Sequence, residues 1–114
     1  MNKVSVDYGI VSMGIYREIS YLQKTKDCIK DVCIQYNNPD YFGYLCDMLN
    51  DGYDITCCIL KFRSANIPDN LILKINKWYA ACESLLYDIR GWLYNDCEIN
   101  AYEFLRKGGV FNGD

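Results

Sequence analysis

The side chains able to do chemistry are seven cysteines, fifteen carboxylates and eleven tyrosines, and histidine is absent. The missing imidazole removes the commonest general base and the commonest zinc ligand together. No Ser–His or Cys–His nucleophile system can be assembled from this chain alone. Cysteine metal sites are typically built from CxxC pairs. Here Cys28 and Cys33 are further apart, Cys57 adjoins Cys58, and Cys46, Cys82 and Cys97 stand singly. Neither spacing suits zinc, so no metal site is expected.

Cys97 is the one thiol with a chemical case. In the first turn of a last helix it would meet the positive end of the helix dipole, which favours thiolate. Asp96 and Glu98 beside it oppose that, so an inert thiol is expected. Asp27 and Asp31 are one helical turn apart, but lysines share their face, and a general acid–base pair needs a cleft that separates its pKa values. No GxxxxGK[ST] or GxGxxG phosphate loop is present. The expectation is a chain that is not an enzyme and needs no cofactor.

Composition narrows the rest. At 114 residues the chain fits one domain, 1–114. Half of it is apolar and 15% is aromatic, far from a disordered composition. The net charge of −3 gives no general attraction to nucleic acid. No apolar run reaches the roughly 18 residues of a membrane span, and the start has no apolar core of a signal peptide. An odd number of cysteines argues against a secreted disulfide framework. The chain is read as cytoplasmic, with reduced thiols.

Periodicity then sets the elements. Val4, Val6, Tyr8 and Ile10 alternate with polar positions, the period of a half-buried strand or extended arm. A first helix is expected over about 14–36, with Ile15, Ile19, Leu22, Ile29 and Cys33 on one face and Lys26 interrupting it. Asn38 and Pro39 start a second helix, which Asn50-Asp51-Gly52 ends. Residues 55–63 fit a further helix better than a strand. The strongest signal is Leu71, Ile75, Trp78, Cys82, Leu85, Ile89 and Trp92, spaced by four and three without a break. It predicts a long central helix over about 68–94. A last helix would begin at Asn95, with Glu98 completing a capping-box spacing, and stop at Gly108-Gly109. The fold expected is all-α: a small bundle of four or five helices with a short N-terminal strand or arm.

The long helix has a second face: Leu73, Lys77, Ala80, Ser84, Tyr87, Gly91 and Tyr94. It mixes small residues, which allow close approach, with tyrosines, which supply area and a polar tip. Such a helix should be covered on both sides, by its own bundle or by another chain. Tyrosine is enriched at interfaces. Tyr87, Tyr94 and Leu73, then Tyr41, Tyr44 and Tyr102, are therefore the candidate interface residues, and a second copy is one candidate partner through this face.

Protein binding without catalysis, by steric occlusion, is the expected function. Its analogy, in size and composition only, is to inhibitors and immunity-type proteins such as phage or mobile-element anti-defence proteins. A second reading is a helical nucleic-acid-binding regulator using Arg17, Lys24, Lys30, Lys61, Arg63, Lys74 and Lys77. A third is a helical partner or substrate of a bacterial secretion system, although no WxG turn is present.

Overall fold

In the computed structural model, which describes residues 6–111, the chain is an all-α bundle. Four helices follow in order: α1 (Tyr8–Gln35), α2 (Asp40–Ile59), α3 (Asp69–Asn95) and α4 (Ala101–Lys107). A single 3₁₀ turn, Leu60–Phe62, extends α2. Helix α2 packs on α1 and on α3, and α4 closes against both α3 and α1. The molecule measures 51 × 26 × 24 Å. Its length is set largely by α1, a helix of 28 residues. By helix rise α1 alone spans roughly 42 Å.

Each long helix turns one stripe inward. Ile15, Ile19, Leu22, Ile29, Val32 and Cys33 of α1 meet Leu45, Leu49, Ile55 and Ile59 of α2 and Ile75, Trp78, Cys82, Leu86, Ile89, Trp92 and Leu93 of α3. In the predicted seam of α3, Ile75, Trp78, Cys82, Ile89 and Trp92 are buried; Leu71 and Leu85 lie at its edge, and Leu86 takes the inner place. Lys26 does not interrupt the α1 stripe. Thr25 fills that turn, fully buried between Leu22 and Ile29.

Several local expectations are corrected. The start of the chain is not a strand from Tyr8 onward. Asp7 caps α1, its carboxylate accepting from the Gly9 N–H at 2.6 Å and the Ile10 N–H at 3.4 Å. A side-chain cap at that point satisfies the first orphan donors and lets the helix start early. Val4 lies outside the described residues. What remains of the arm is one antiparallel bridge, Asp7 with Asn66, beside an Ile67 N–H to Val6 carbonyl bond of 3.1 Å.

Gly52 does not end the second helix, which runs on through 55–59 as one element. It is buried there against the Trp78 ring. Pro39 stands at the cap position of α2, one residue before the first helical residue, Asp40, whose N–H still reaches the Asn38 side chain at 3.3 Å.

The last helix does not begin at Asn95. The same Asn-x-x-Glu spacing recurs further on, and there Asn100 accepts from the Glu103 N–H at 3.1 Å. Residues 96–100 instead form a turn with Glu98 at φ 55°, closed by an Ile99 N–H to Leu93 carbonyl bond of 2.8 Å. Gly108-Gly109 does stop α4. Gly109, at φ 81°, permits the Val110 N–H to reach back to the Leu105 carbonyl at 3.0 Å, the usual use of a left-handed residue at a helix end. Asn37 does the same for α1 at φ 51°, with the Asn38 N–H bonding the Cys33 carbonyl at 2.8 Å.

Candidate functional site

The outer face of α3 is the candidate site. Core packing turns the Ile75–Trp92 stripe inward, and this fixes the opposite side of the helix outward. Leu73, Tyr87 and Tyr94 are 57%, 74% and 68% exposed. Lys77, Ala80 and Ser84 between them are exposed, and Gly91 is half-exposed. Of the two covers expected for this face, the bundle itself is ruled out: α3 is not the central helix, since α2 packs on both α1 and α3, and the described chain covers one side of α3 only. Two layers of helix suffice to bury the inner stripe, and nothing in the described chain crosses α3.

The six candidate interface residues divide. Tyr41 is half-buried on α2, its ring 5.3 Å from Trp92 and 6.4 Å from Tyr44. Burial raises its pKa first, and then Asp88 and Asp96, Tyr44 and Asp40 add to it. Tyr41, with exposed Tyr44 beside it, thus flanks the C-terminal half of α3 at Trp92. Tyr102 belongs elsewhere. It stacks on Phe111 at 5.3 Å, and Phe111 also meets Tyr21 of α1 at 5.8 Å. These two rings hold Phe111 against the bundle.

The basic residues of the nucleic-acid reading do not form one stripe. Lys30 lines a groove at the α1–α2 turn with Cys33, Pro39 and Phe42. Lys61 and Arg63 follow α2 at its other end, roughly 30 Å away by helix rise. Lys74 and Lys77 share a groove with Asp51 and Asp54, which lowers its net positive charge. Arg17 and Lys24 stand on α1, two turns apart.

A polar groove between α1 and α3 escaped the sequence. It has a volume of about 390 Å³ and is lined by Glu18, Tyr21, Tyr79, Glu83, Leu86, Arg90 and Phe111. Arg90 donates to the Tyr21 hydroxyl. The Glu18 carboxyl is raised above its ordinary value, by burial first and then by Glu83. Glu18, Glu83 and Arg90 each read alone as part of a solvated helix face. Only the pairing of α1 with α3, which no local pattern encodes, brings them together.

The groove has a consequence for pH. Folded Glu18 holds its proton more tightly than the unfolded chain does. The fold therefore loses stability as pH rises from 4.5 through the raised value, and the loss is complete above that window. Glu18→Gln is expected to raise the melting temperature at pH 7, and the gain should vanish well below pH 4.5. Melting curves of both proteins across that range test it; a gain independent of pH would assign the effect to packing.

The cysteines supply no activated nucleophile in the core. Burial pushes the Cys82 thiol up to about 12, with Glu18 and Asp51 adding to the shift. Cys97 is buried in the 96–100 turn and not in a helical first turn. Burial and then Asp96 raise its pKa, the reverse of dipole activation. All seven cysteines are free thiols. Among the described residues no cluster of His, Cys, Asp and Glu is placed to hold a metal ion, and no helix is long and apolar enough to cross a membrane.

Fold and site together define a class: a small all-α bundle with a tyrosine-bearing helix face turned to solvent. No family model matches the chain, and neither a curated protein nor a solved structure shows significant similarity to it.

Proposed function

We propose that this chain is a non-catalytic protein-binding module of the cytoplasm, and that the outer face of α3 docks on a partner protein and blocks it sterically. Its working analogy is an inhibitor or immunity-type protein, of the kind phages and mobile elements use against host defences. The observation that carries the reading is the exposure of Leu73, Tyr87 and Tyr94 on one straight face whose reverse side is core. A helix held by its own core has its backbone already ordered, so binding through it avoids the cost of ordering a loop. Tyrosines in such positions are typical anchors of protein interfaces. The Tyr41–Tyr44 pair extends the surface at one end.

The test uses the double variant Tyr87→Ala/Tyr94→Ala. The wild-type protein should retain one dominant protein from bacterial lysate treated with nuclease, and the variant should not. Stability should change by no more than about 0.5 kcal/mol per site, as for other exposed substitutions. A steep fall in melting temperature would make the face part of the core. Capture that disappears with nuclease would give the chain to the nucleic-acid reading.

A further inference from the structure

We infer that the outer face of α3 is self-complementary, and that it pairs with the same face of a second copy of this chain in antiparallel orientation. The inference rests on the reading of that face as a binding face, and it names an occupant for it. The outer-face residues from Leu73 to Tyr94 follow the alternating four–three spacing of a coiled-coil seam. The seam is exposed apart from half-exposed Gly91. A two-fold axis between Ala80 and Ser84 sets the layers from Leu73 to Gly91 of one copy against those of the other, and Tyr94 lies beyond the last matched layer.

The layers then match by size. Leu73 lies over the partner's Gly91, where the missing side chain leaves room. The partner's Tyr87 lies against Lys77, an arrangement open to a cation–π contact. Ala80 faces the partner's Ser84 at the centre, where small side chains allow the helices to approach. In a parallel pair each position would meet itself: Lys77 against Lys77 of the partner subunit, with Gly91 leaving a gap.

The flanking charges favour the same orientation. Lys74 and Asp88 are equidistant from Ala81 along one edge of the seam. Antiparallel pairing sets each Lys74 against the partner's Asp88, twice by symmetry. On the other edge Asn76 lies opposite the partner's Arg90, which is already held by Tyr21 of its own chain, and Glu83 meets its own copy. That last contact is a rim repulsion, opposed by the two attractive pairs, and exposed pairs of this kind are individually weak. The pairing is therefore expected to be reversible, and a heterologous partner using the same face would displace the second copy.

Sedimentation equilibrium of the full chain over a wide concentration range tests this. The mass should rise from 13.3 kDa toward twice that value. Ala80→Arg, which places a large charge at the axis, should leave a monomer with unchanged helicity. Lys74→Glu and Asp88→Lys should each weaken association by about tenfold, since each replaces two attractive contacts with two repulsive ones. The double variant Lys74→Glu/Asp88→Lys should recover the wild-type constant, because the charges are exchanged within one chain and meet across the axis. A monomer at every concentration, a dimer indifferent to Ala80→Arg, or a double variant as weak as the singles would overturn the inference. If self-pairing fails while Tyr87→Ala/Tyr94→Ala still loses a captured protein, the binding-module reading stands without it.

Discussion

Trp78→Ala is expected to lower the unfolding free energy by about 3–5 kcal/mol, the range for deleting a large core aromatic. Small domains are stable by only about 5–15 kcal/mol in all, so this one change removes a large share. Trp78 is 5% exposed, and its indole Nε1 donates to the Met48 carbonyl of α2 at 3.0 Å. Its ring also lies 5.3 Å from that of Tyr79. Removing it opens a cavity where α2 and α3 meet and leaves that junction without its main filler. Trp78→Phe should cost less, keeping part of the packing but losing the hydrogen bond, worth about 1 kcal/mol. Urea unfolding followed by circular dichroism reads both. A loss below about 1 kcal/mol for Trp78→Ala would mean that this junction refills freely.

Two glycines of α2 are expected to answer the same substitution with opposite signs. Gly43→Ala should stabilise the protein by about 0.5–1 kcal/mol, the usual gain for alanine over glycine in a helix. A methyl group there would meet nothing within 4 Å. Gly52→Ala should destabilise it by about 1–3 kcal/mol, the range for overpacking a filled core. Its methyl carbon would fall 2.6 Å from the Trp78 ring and 3.1 Å from the Ile19 side chain. A ring already tied to Met48 cannot swing aside cheaply, so the steric cost exceeds the gain in helix propensity. Both variants can be compared in one urea series. Equal shifts of the same sign would show that Trp78 does not seat against Gly52.

Gly52 also marks the limit of what a local pattern reveals. Asn50-Asp51-Gly52 has the composition of a helix stop, and nothing nearby contradicts that. Its real role depends on Trp78, on the following long helix, a relation visible only once α2 and α3 are side by side. Helix α3 was legible because Pro68, the buried stripe and its polar flanks all agree on one element. The start of α1 was not, because four alternating residues fit a strand as well as a helix until Asp7 is seen capping. Asn95–Glu98 and Asn100–Glu103 carry the same local signal, and the burial of Leu93 and Cys97 around the intervening turn selects the second. The second face of α3 was visible as a period. Its exposure was not, because a period fixes which residues share a side but not what covers them. The Glu18–Glu83 groove had no local signal, since its charges come from two helices that meet only in the fold.

Both tryptophans of the chain lie on α3. Helix rise separates them by roughly 21 Å. Trp92 is rimmed by Tyr36 from the end of α1 and Tyr41 from the start of α2. Trp78 is seated against the middle of α2 instead. The two indoles therefore report fluorescence from different junctions of one bundle, with Tyr36 and Tyr41 beside one and Tyr79 beside the other. Parts of a fold that open separately differ in their local free energy. In this chain such fraying has an optical signature of its own: tyrosine-sensitised emission lost at the α1–α2 turn while the indole held by Met48 still emits from a dry site.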